Sequence, residues 1–284
     1  MRAILKYTLL PLFLFQACSD EIKEEKFDID WIYSDEGRMV GASYKTAWIN
    51  DNTLYLMDMR KPKEERTLLK MNPSSSMKMV PVVDSEKISK SILSAVGRTD
   101  TSMYLEWPSS FSSTGNHGIY FFEDDIYILD VPNESYRRVT NSKSEEKGAR
   151  FSPDGKKISF VRDNDMYIYD IRTQKEKRIT FSGSETNLNG TVSWVYWEEI
   201  FGRKDLGYWW SDDSKAIAFL NTDESEVTKM HYVHWKPAES ELITQRYPKA
   251  GTKNPVVKLG IIELSNSKLK WVDLDPFEYL CRVK

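Results

Sequence analysis

Past about residue 30 the chain is written in short runs in which apolar and polar side chains alternate, each closed by a cluster of turn residues. A period of two sends successive side chains to opposite faces, so these runs predict half-buried strands. Two stretches share one grammar of aromatic residue, polar turn and alternating strand: Phe151-Ser152-Pro153-Asp154-Gly155-Lys156-Lys157-Ile158-Ser159-Phe160-Val161 and Trp210-Ser211-Asp212-Asp213-Ser214-Lys215-Ala216-Ile217-Ala218-Phe219-Leu220. Trp48-Ile49-Asn50-Asp51-Asn52-Thr53-Leu54-Tyr55-Leu56 is a looser copy. A second grammar follows the first: Asp125-Ile126-Tyr127-Ile128-Leu129-Asp130 leads through a turn to Arg137-Arg138-Val139-Thr140, and Asp165-Met166-Tyr167-Ile168-Tyr169-Asp170 leads to Lys177-Arg178-Ile179-Thr180. Two strands of each grammar make a four-stranded blade of about 40–50 residues, so the pattern predicts an all-β fold, a partial β-propeller of about five blades at most. Residues 269–274 read as one more strand, and residues 279–284 enter a fresh one.

The start of the chain follows other rules. Arg2 and Lys6 precede a largely apolar run over residues 7–15, too short to span a bilayer and of the kind found in secretory signals. Its end, Leu14-Phe15-Gln16-Ala17-Cys18, resembles a bacterial lipoprotein cleavage box, in which Cys18 would become the lipidated first residue. Three segments are therefore expected: a lipoprotein-type signal over residues 1–18, an acidic tether over 19–30 and an incomplete propeller over 31–284. The protein is expected to be exported and membrane-anchored through lipid, in the periplasm or at the surface of a bacterium.

Composition narrows the choice of partner. In 284 residues, 40 Lys and Arg stand against 43 Asp and Glu, a net charge of -3 without a basic block, which argues against nucleic acid. Aromatic residues make up 13%, a balance suited to strands. The two cysteines, Cys18 and Cys281, can build neither a disulfide framework nor a cysteine zinc site. His231 and His234 lie in a run that reads as strand, where an odd offset puts them on opposite faces, so no metal or other cofactor is expected.

The most informative stretch is Asn189-Gly190-Thr191-Val192-Ser193-Trp194-Val195-Tyr196-Trp197-Glu198-Glu199-Ile200-Phe201-Gly202, followed by Gly207-Tyr208-Trp209-Trp210-Ser211, Asp223-Glu224, and Gln245-Arg246-Tyr247-Pro248-Lys249-Ala250-Gly251-Thr252-Lys253-Asn254-Pro255. Together these resemble the dipeptidyl peptidase IV branch of the prolyl oligopeptidase family of serine peptidases. The resemblance implies an eight-bladed propeller, of which this chain holds roughly the first half. It also implies that Glu198 and Glu199 project from a short helix and grip the free ammonium of a substrate's N-terminus. An ammonium offers three donors and no acceptor, which suits paired carboxylates. An anion pair at a set distance from the nucleophile would then select the bond after the second residue, releasing X-Pro or X-Ala dipeptides.

Two departures from the family accompany the match. An arginine of an earlier blade should bind the substrate's backbone carbonyl, yet no arginine lies between Arg98 and Arg137, and His117 is the nearest polar substitute by order. The hydrolase domain, with its nucleophile on Gly-x-Ser-x-Gly, should follow the propeller. No such motif occurs in the sequence, and Gly41-Ala42-Ser43-Tyr44-Lys45 lacks the closing glycine. An α/β-hydrolase domain is accordingly not expected in this chain, which alone should be inactive and act as the substrate-gating segment of an exported dipeptidyl peptidase. The alternative is a membrane-anchored lipoprotein that binds peptides or serves assembly without catalysis, since residues 247–255 resemble the family's dimer-forming extension. Expected partners are peptide N-termini, a hydrolase half or a second copy, and lipid.

Overall fold

A computed structural model describes residues 28–49, 52–99, 102–274, 280 and 283. The expected signal segment, Cys18, Cys281 and the expected tether up to residue 27 lie outside the described residues. The chain divides into two compact units, residues 1–42 and 43–284. In the first, helix α1 (Ile29–Tyr33) is capped by the Asp28 carboxylate, and α2 (Asp35–Val40) by the Ser34 hydroxyl, which accepts from Gly37 N at 3.0 Å. Residues expected to close the tether and open the propeller are thus helical, and the strands begin at Tyr44. Among the described residues no helix is long and apolar enough to cross a membrane.

The second unit is built of antiparallel sheets met one after another along the chain. Strands β1 (Tyr44–Ile49), β2 (Thr53–Asp58), β3 (Leu69–Asn72) and β4 (Ser76–Pro81) form the first, in that order. Helix α3 (Ser85–Val96) follows, capped by Asp84 at its start and by left-handed Gly97 at its end. Then come β5 (Ser110–Phe111), β6 (His117–Phe122), β7 (Asp125–Asp130) and β8 (Ser135–Arg138), and next β9 (Glu146–Phe151), β10 (Lys157–Arg162), β11 (Asp165–Asp170) and β12 (Lys175–Arg178). The last sheet contains β13 (Asn187–Asn189), β14 (Tyr208–Trp210) and β15 (Ala216–Asp223). A separate hairpin of β16 (Lys229–His234) and β17 (Glu241–Arg246) precedes β18 (Val256–Glu263) and β19 (Lys268–Trp271). In that sheet the order is β13-β15-β18-β19, with β14 also on β15. These are the blades of a propeller, three of four strands and a last sheet of five among the described residues, and the fold is all-β with helix α3 inserted.

Each grammar read from the sequence has a mechanical cause. In the first, Ser152 donates to Asp154 Oδ1 and accepts from Lys157 N, which closes the turn before β10 around left-handed Gly155; Ser211 and Asp213 repeat this before β15. In the second, the aspartate that opens the third strand is buried and tied to the arginine that ends the fourth. Asp125 pairs with Arg138 and Asp165 with Arg178, while Thr140 and Thr180 accept from the backbone N–H of Ile126 and Met166 at 2.8 Å. Burial of these carboxylates demands such partners.

Packing between neighbouring sheets is apolar. Ile119, Ile126 and Ile128 from the second blade meet Ile158 and Phe160 from the third, all at most 1% exposed. Helix α3 inserts Ile88 and Ile92, four residues apart on one face, among Met57, Leu129 and Tyr136. Tyr208 of β14 is fully buried and places its hydroxyl on the Ser159 hydroxyl of β10 at 3.0 Å, joining the third blade to the fourth.

Candidate functional site

Between β13 and β14 the chain leaves the sheet for residues 190–207 and returns to where it left, since Gly207 N donates to Gly190 O at 2.8 Å. The start and end are tied again by Asp205, whose carboxylate accepts from Val192 N at 2.9 Å. Gly190 sits at φ 81°, and a Cβ there would come within 2.9 Å of Met166, so the exit from the sheet requires glycine. The excursion is a compact loop with its ends pinned, a form that often carries function.

Inside it, Tyr196–Ile200 make one π-helical turn. The Tyr196 ring is buried at 1% exposure and Phe201 stands edge-on to it at 5.9 Å, while Val195 and Ile200 pack on the same core with Val192, Leu220 and Leu259. Leu280 N donates to the Tyr196 hydroxyl at 3.1 Å. The apolar members of Val195-Tyr196-Trp197-Glu198-Glu199-Ile200-Phe201 anchor the turn, which leaves Glu198 half-buried and Glu199 exposed at its outer side.

The two glutamates differ in partner. Glu198 is held by Arg203, whose Nη2 donates to Oε1 at 2.9 Å and whose Nε reaches Oε1 and Oε2 at 3.2 and 3.1 Å. Arg203 is brought back by two consecutive left-handed residues, Gly202 and Arg203, and by its own N–H on Trp197 O at 2.7 Å. The carboxylate raises the already high pKa of that guanidinium. Glu199 makes no hydrogen bond or ion pair with any described residue. The turn therefore presents one free carboxylate and one shared with an arginine, a net negative charge with acceptor sites open. Arg203 is the partner that the sequence reading missed; its signal was a basic residue five positions after a glutamate, across a glycine.

Beside the turn lies a cleft of about 430 Å³, walled by Trp194 and Trp197 of the same loop and reached by Asp205, Glu224 and Arg246. Tyr247 leans on Trp194 with ring centroids 4.4 Å apart, so two of the sequence segments that carried the resemblance meet here. Arg246 donates to the carbonyls of Glu224, Ser225 and Val227 at 3.0, 3.3 and 3.1 Å and thereby shapes the chain beside the cleft. Glu224 is pushed up to about 7 by burial, with Arg246 opposing and Asp205 adding to the rise. Burial also raises the Asp205 carboxyl.

His117 is placed elsewhere. Loop 190–207 lies at the end of the blades where Asn164, in the β10–β11 turn, accepts from Asn189 N at 3.0 Å and where Asp124, in the β6–β7 turn, accepts from Glu146 N at 3.1 Å. His117 opens β6 at its opposite end, paired with Asp130 and facing Phe151, with its ring centroid 6.3 Å from that phenyl. Desolvation lowers its pKa. A six-residue strand separates it from the β6–β7 turn, roughly 17–20 Å, so the structure does not bring it to the glutamates. The turn that does reach that end carries Glu123 and Asp124 with φ 50° and 68°, and Glu123 is paired with Arg98. His231 and His234 lie on β16, with the His231 ring on the Thr244 hydroxyl at 2.8 Å; among the described residues no group of three or more metal-ligating side chains forms.

Comparison with known proteins agrees with this architecture. The crystal structure of Porphyromonas gingivalis dipeptidyl peptidase 4 superposes with a TM-score of 0.68 at 24% identity, over 89% of this chain and 36% of that one. A profile described as "Dipeptidyl peptidase IV (DPP IV) N-terminal region" matches residues 111–284, and the chain belongs to that family. Sequence relatives include "Probable dipeptidyl-aminopeptidase B" of Phaeosphaeria nodorum, 36% identical over 98 residues, and venom dipeptidyl peptidase 4 of Vespa velutina, 35% identical over 95 residues. Each match covers 30% of this chain but only 11% and 12% of those proteins, so the chain corresponds to a propeller segment of dipeptidyl peptidase-family proteins and spans a minor part of their length.

Proposed function

We propose that this propeller segment gates substrate for a dipeptidyl peptidase-type reaction, with Glu198 and Glu199 receiving the N-terminal ammonium of a peptide. The observation that carries the reading is the π-turn: an apolar anchor that holds two adjacent carboxylates outward, one of them without a partner among the described residues. An incoming ammonium takes the free Glu199 carboxylate and the acceptor sites of Glu198 that Arg203 leaves open. The chemistry of bond cleavage belongs to a hydrolase domain of the prolyl oligopeptidase kind, because Gly-x-Ser-x-Gly does not occur within these 284 residues. With the ammonium fixed, the bond after the second residue is the one offered to that domain, and X-Pro and X-Ala dipeptides are the products.

The test is kinetic and uses the full-length protein purified from its source cells together with its Glu198→Gln/Glu199→Gln double variant. Release of p-nitroaniline from Ala-Pro-p-nitroanilide should fall by about 100-fold or more in kcat/KM, as expected when charge-assisted hydrogen bonds to a partly desolvated ammonium are lost. Hydrolysis of a simple ester by the same preparations should fall much less. Equal losses on both substrates, or none on the anilide, sink the assignment. Export by lipidation is a separate proposal resting on Cys18: a Cys18→Ala variant should leave the membrane fraction, and its retention there would place the anchor elsewhere.

A further inference from the structure

Arg150 is a guanidinium without a counter-ion among the described residues, at a junction of two clefts. It lies on β9, a strand paired on one side only with β10, and its exposed side chain alternates with buried Ala149 and Phe151. One cleft, of about 680 Å³, is enclosed by the β6–β7 turn, by β9 and by Lys204, Asp205 and Leu206 of the candidate-site loop. The other, of about 500 Å³, has an aromatic wall of Phe111, Phe151, Trp209 and Trp210. Arg150 lines both.

The two clefts differ in charge, and Arg150 is without an anion on the side of the smaller one. Glu146 is saturated by the hydroxyls of Thr140 and Ser142 at 2.8 Å each and by Arg162 at 3.2 Å. Glu123 is paired with Arg98. Glu145 and Asp205 lie 3.4 and 3.9 Å from Lys147, and Asp205 also takes the Val192 N–H. The lining of the larger cleft thus carries five carboxylates against three cations, two of the carboxylates sharing Lys147, whereas the smaller cleft is lined by no carboxylate and has Arg150 as its one charged lining residue; neither Arg150 nor Lys204 makes an ion pair with a described residue. A planar guanidinium with all five donors unspent matches a carboxylate in two-point geometry, and the neighbouring ammonium adds attraction.

We infer that Arg150, assisted by Lys204, is a subsite for a carboxylate group of a peptide that lies along the inner strands, its apolar parts on the aromatic wall. The inference rests on the reading that peptides bind this face, and it adds a preference: ligands bearing an acidic side chain, or a free C-terminus, a few residues from the ammonium. It assigns Arg150 a positioning and selecting role and no part in bond cleavage.

Calorimetric titration of the full-length protein at low salt, with the serine of its Gly-x-Ser-x-Gly motif replaced by alanine so that the probes are bound and not cleaved, decides it with four probes: Ala-Pro-Glu-Ala-amide, its N-acetylated form, the neutral Ala-Pro-Gln-Ala-amide, and Ala-Pro-Gln-Ala with a free C-terminus. A carboxylate probe should bind about five-fold more tightly than the neutral amide, the scale of two partly exposed charge pairs, and about 0.5 M salt should erase most of that gain. Whichever of the two carboxylate probes shows the advantage identifies the source as side chain or chain end. In an Arg150→Gln/Lys204→Gln variant the advantage should vanish while the neutral peptide binds as before, which also shows that the variant is folded. Equal affinities in the wild type, an advantage that survives the double variant, or no binding of any probe overturns the proposal. N-acetylation separates the two claims: if it has no effect while the carboxylate advantage stands, the ammonium reading has failed and this one has not.

Discussion

Replacing Asp165 by alanine tests whether the Asp-Arg-Thr lock holds the third blade to the fourth and thereby the root of the site loop. The Asp165 side chain is 1% exposed and accepts from Arg178, from the Thr180 hydroxyl, from Gly183 N at 3.1 Å and from Asn189 Nδ2 at 3.1 Å. Asn189 immediately precedes Gly190, where the loop leaves the sheet. Alanine removes the acceptor common to all four donors. Asn189 keeps Asn164 O and Ser182 Oγ, and Arg178, 42% exposed, turns to water, but Thr180 and the closing turn at Gly183 lose their anchor. Because Arg178 is left in water, the cost is that of the Thr180 hydroxyl and the Gly183 N–H losing their acceptor, on the order of 2–4 kcal/mol together. For a unit of this size that is a fall in Tm of about 4–16 °C. Circular dichroism melts should rank wild type, Asp165→Asn and Asp165→Ala in order of increasing stability loss, because an amide retains one acceptor oxygen. A shift below about 2 °C for alanine would refute the lock.

Other outcomes follow from the same geometry. Tyr196→Ala should cost about 3–5 kcal/mol of stability, as for a buried aromatic, and loosen the glutamate turn, read as a lower Tm together with weaker binding of a free-amine peptide. Arg203→Gln should leave the melt unchanged and tighten binding of that peptide at low salt by freeing Glu198; unchanged or weaker binding contradicts the shared-carboxylate picture. His117→Ala should alter peptide affinity less than about two-fold, the scale of a surface change away from the site. Glu224 holds its proton longer in the folded protein, about 7 against an ordinary 4.5, so its contribution is fully present below pH 4.5 and is lost as pH rises toward 7. Glu224→Gln should therefore gain stability relative to wild type as pH climbs through that window, measured as the difference between two pH series of denaturant melts.

Much of the propeller was legible because its repeats are enforced by chemistry that leaves a trace in sequence. A buried aspartate needs an arginine and a threonine at set spacing, which is why Asp125 to Thr140 and Asp165 to Thr180 read alike. The turns before β10 and β15 need Ser and Asp at fixed offsets for the same reason. Helix α3 escaped notice because it interrupts a strand-rich region, and its apolar face, Ile88, Ile92, Ala95 and Val96, runs for little more than two turns before Gly97 ends it. The helical residues 29–40 escaped for a similar reason, being short and stabilised by caps.

At the site, Glu198 and Glu199 were legible through the motif that surrounds them, whereas their inequality was not. Whether a carboxylate is free or paired depends on a reversal at Gly202 and Arg203 that has no periodicity. His117 was placed by order along the chain, and order does not say which end of a strand a residue occupies; the register with Asp130 does. Arg150 and Lys204 carried no signal at all, since a cation without a partner is visible only when its neighbours' partners are known.

The central claim is that the π-turn recognises a free N-terminal ammonium. Its most direct measurement is the affinity of the full-length protein, its serine nucleophile replaced by alanine so that peptides are bound and not cleaved, for Ala-Pro-Ala-amide and for N-acetyl-Ala-Pro-Ala-amide, with both glutamates wild type and in Glu198→Gln/Glu199→Gln. The account predicts that acetylation weakens binding to wild type by about ten-fold or more, as loss of charge-assisted hydrogen bonds requires, and that the double variant no longer tells the two peptides apart. Equal binding of both peptides to wild type, or a preference for the free amine that persists in the double variant, would contradict it.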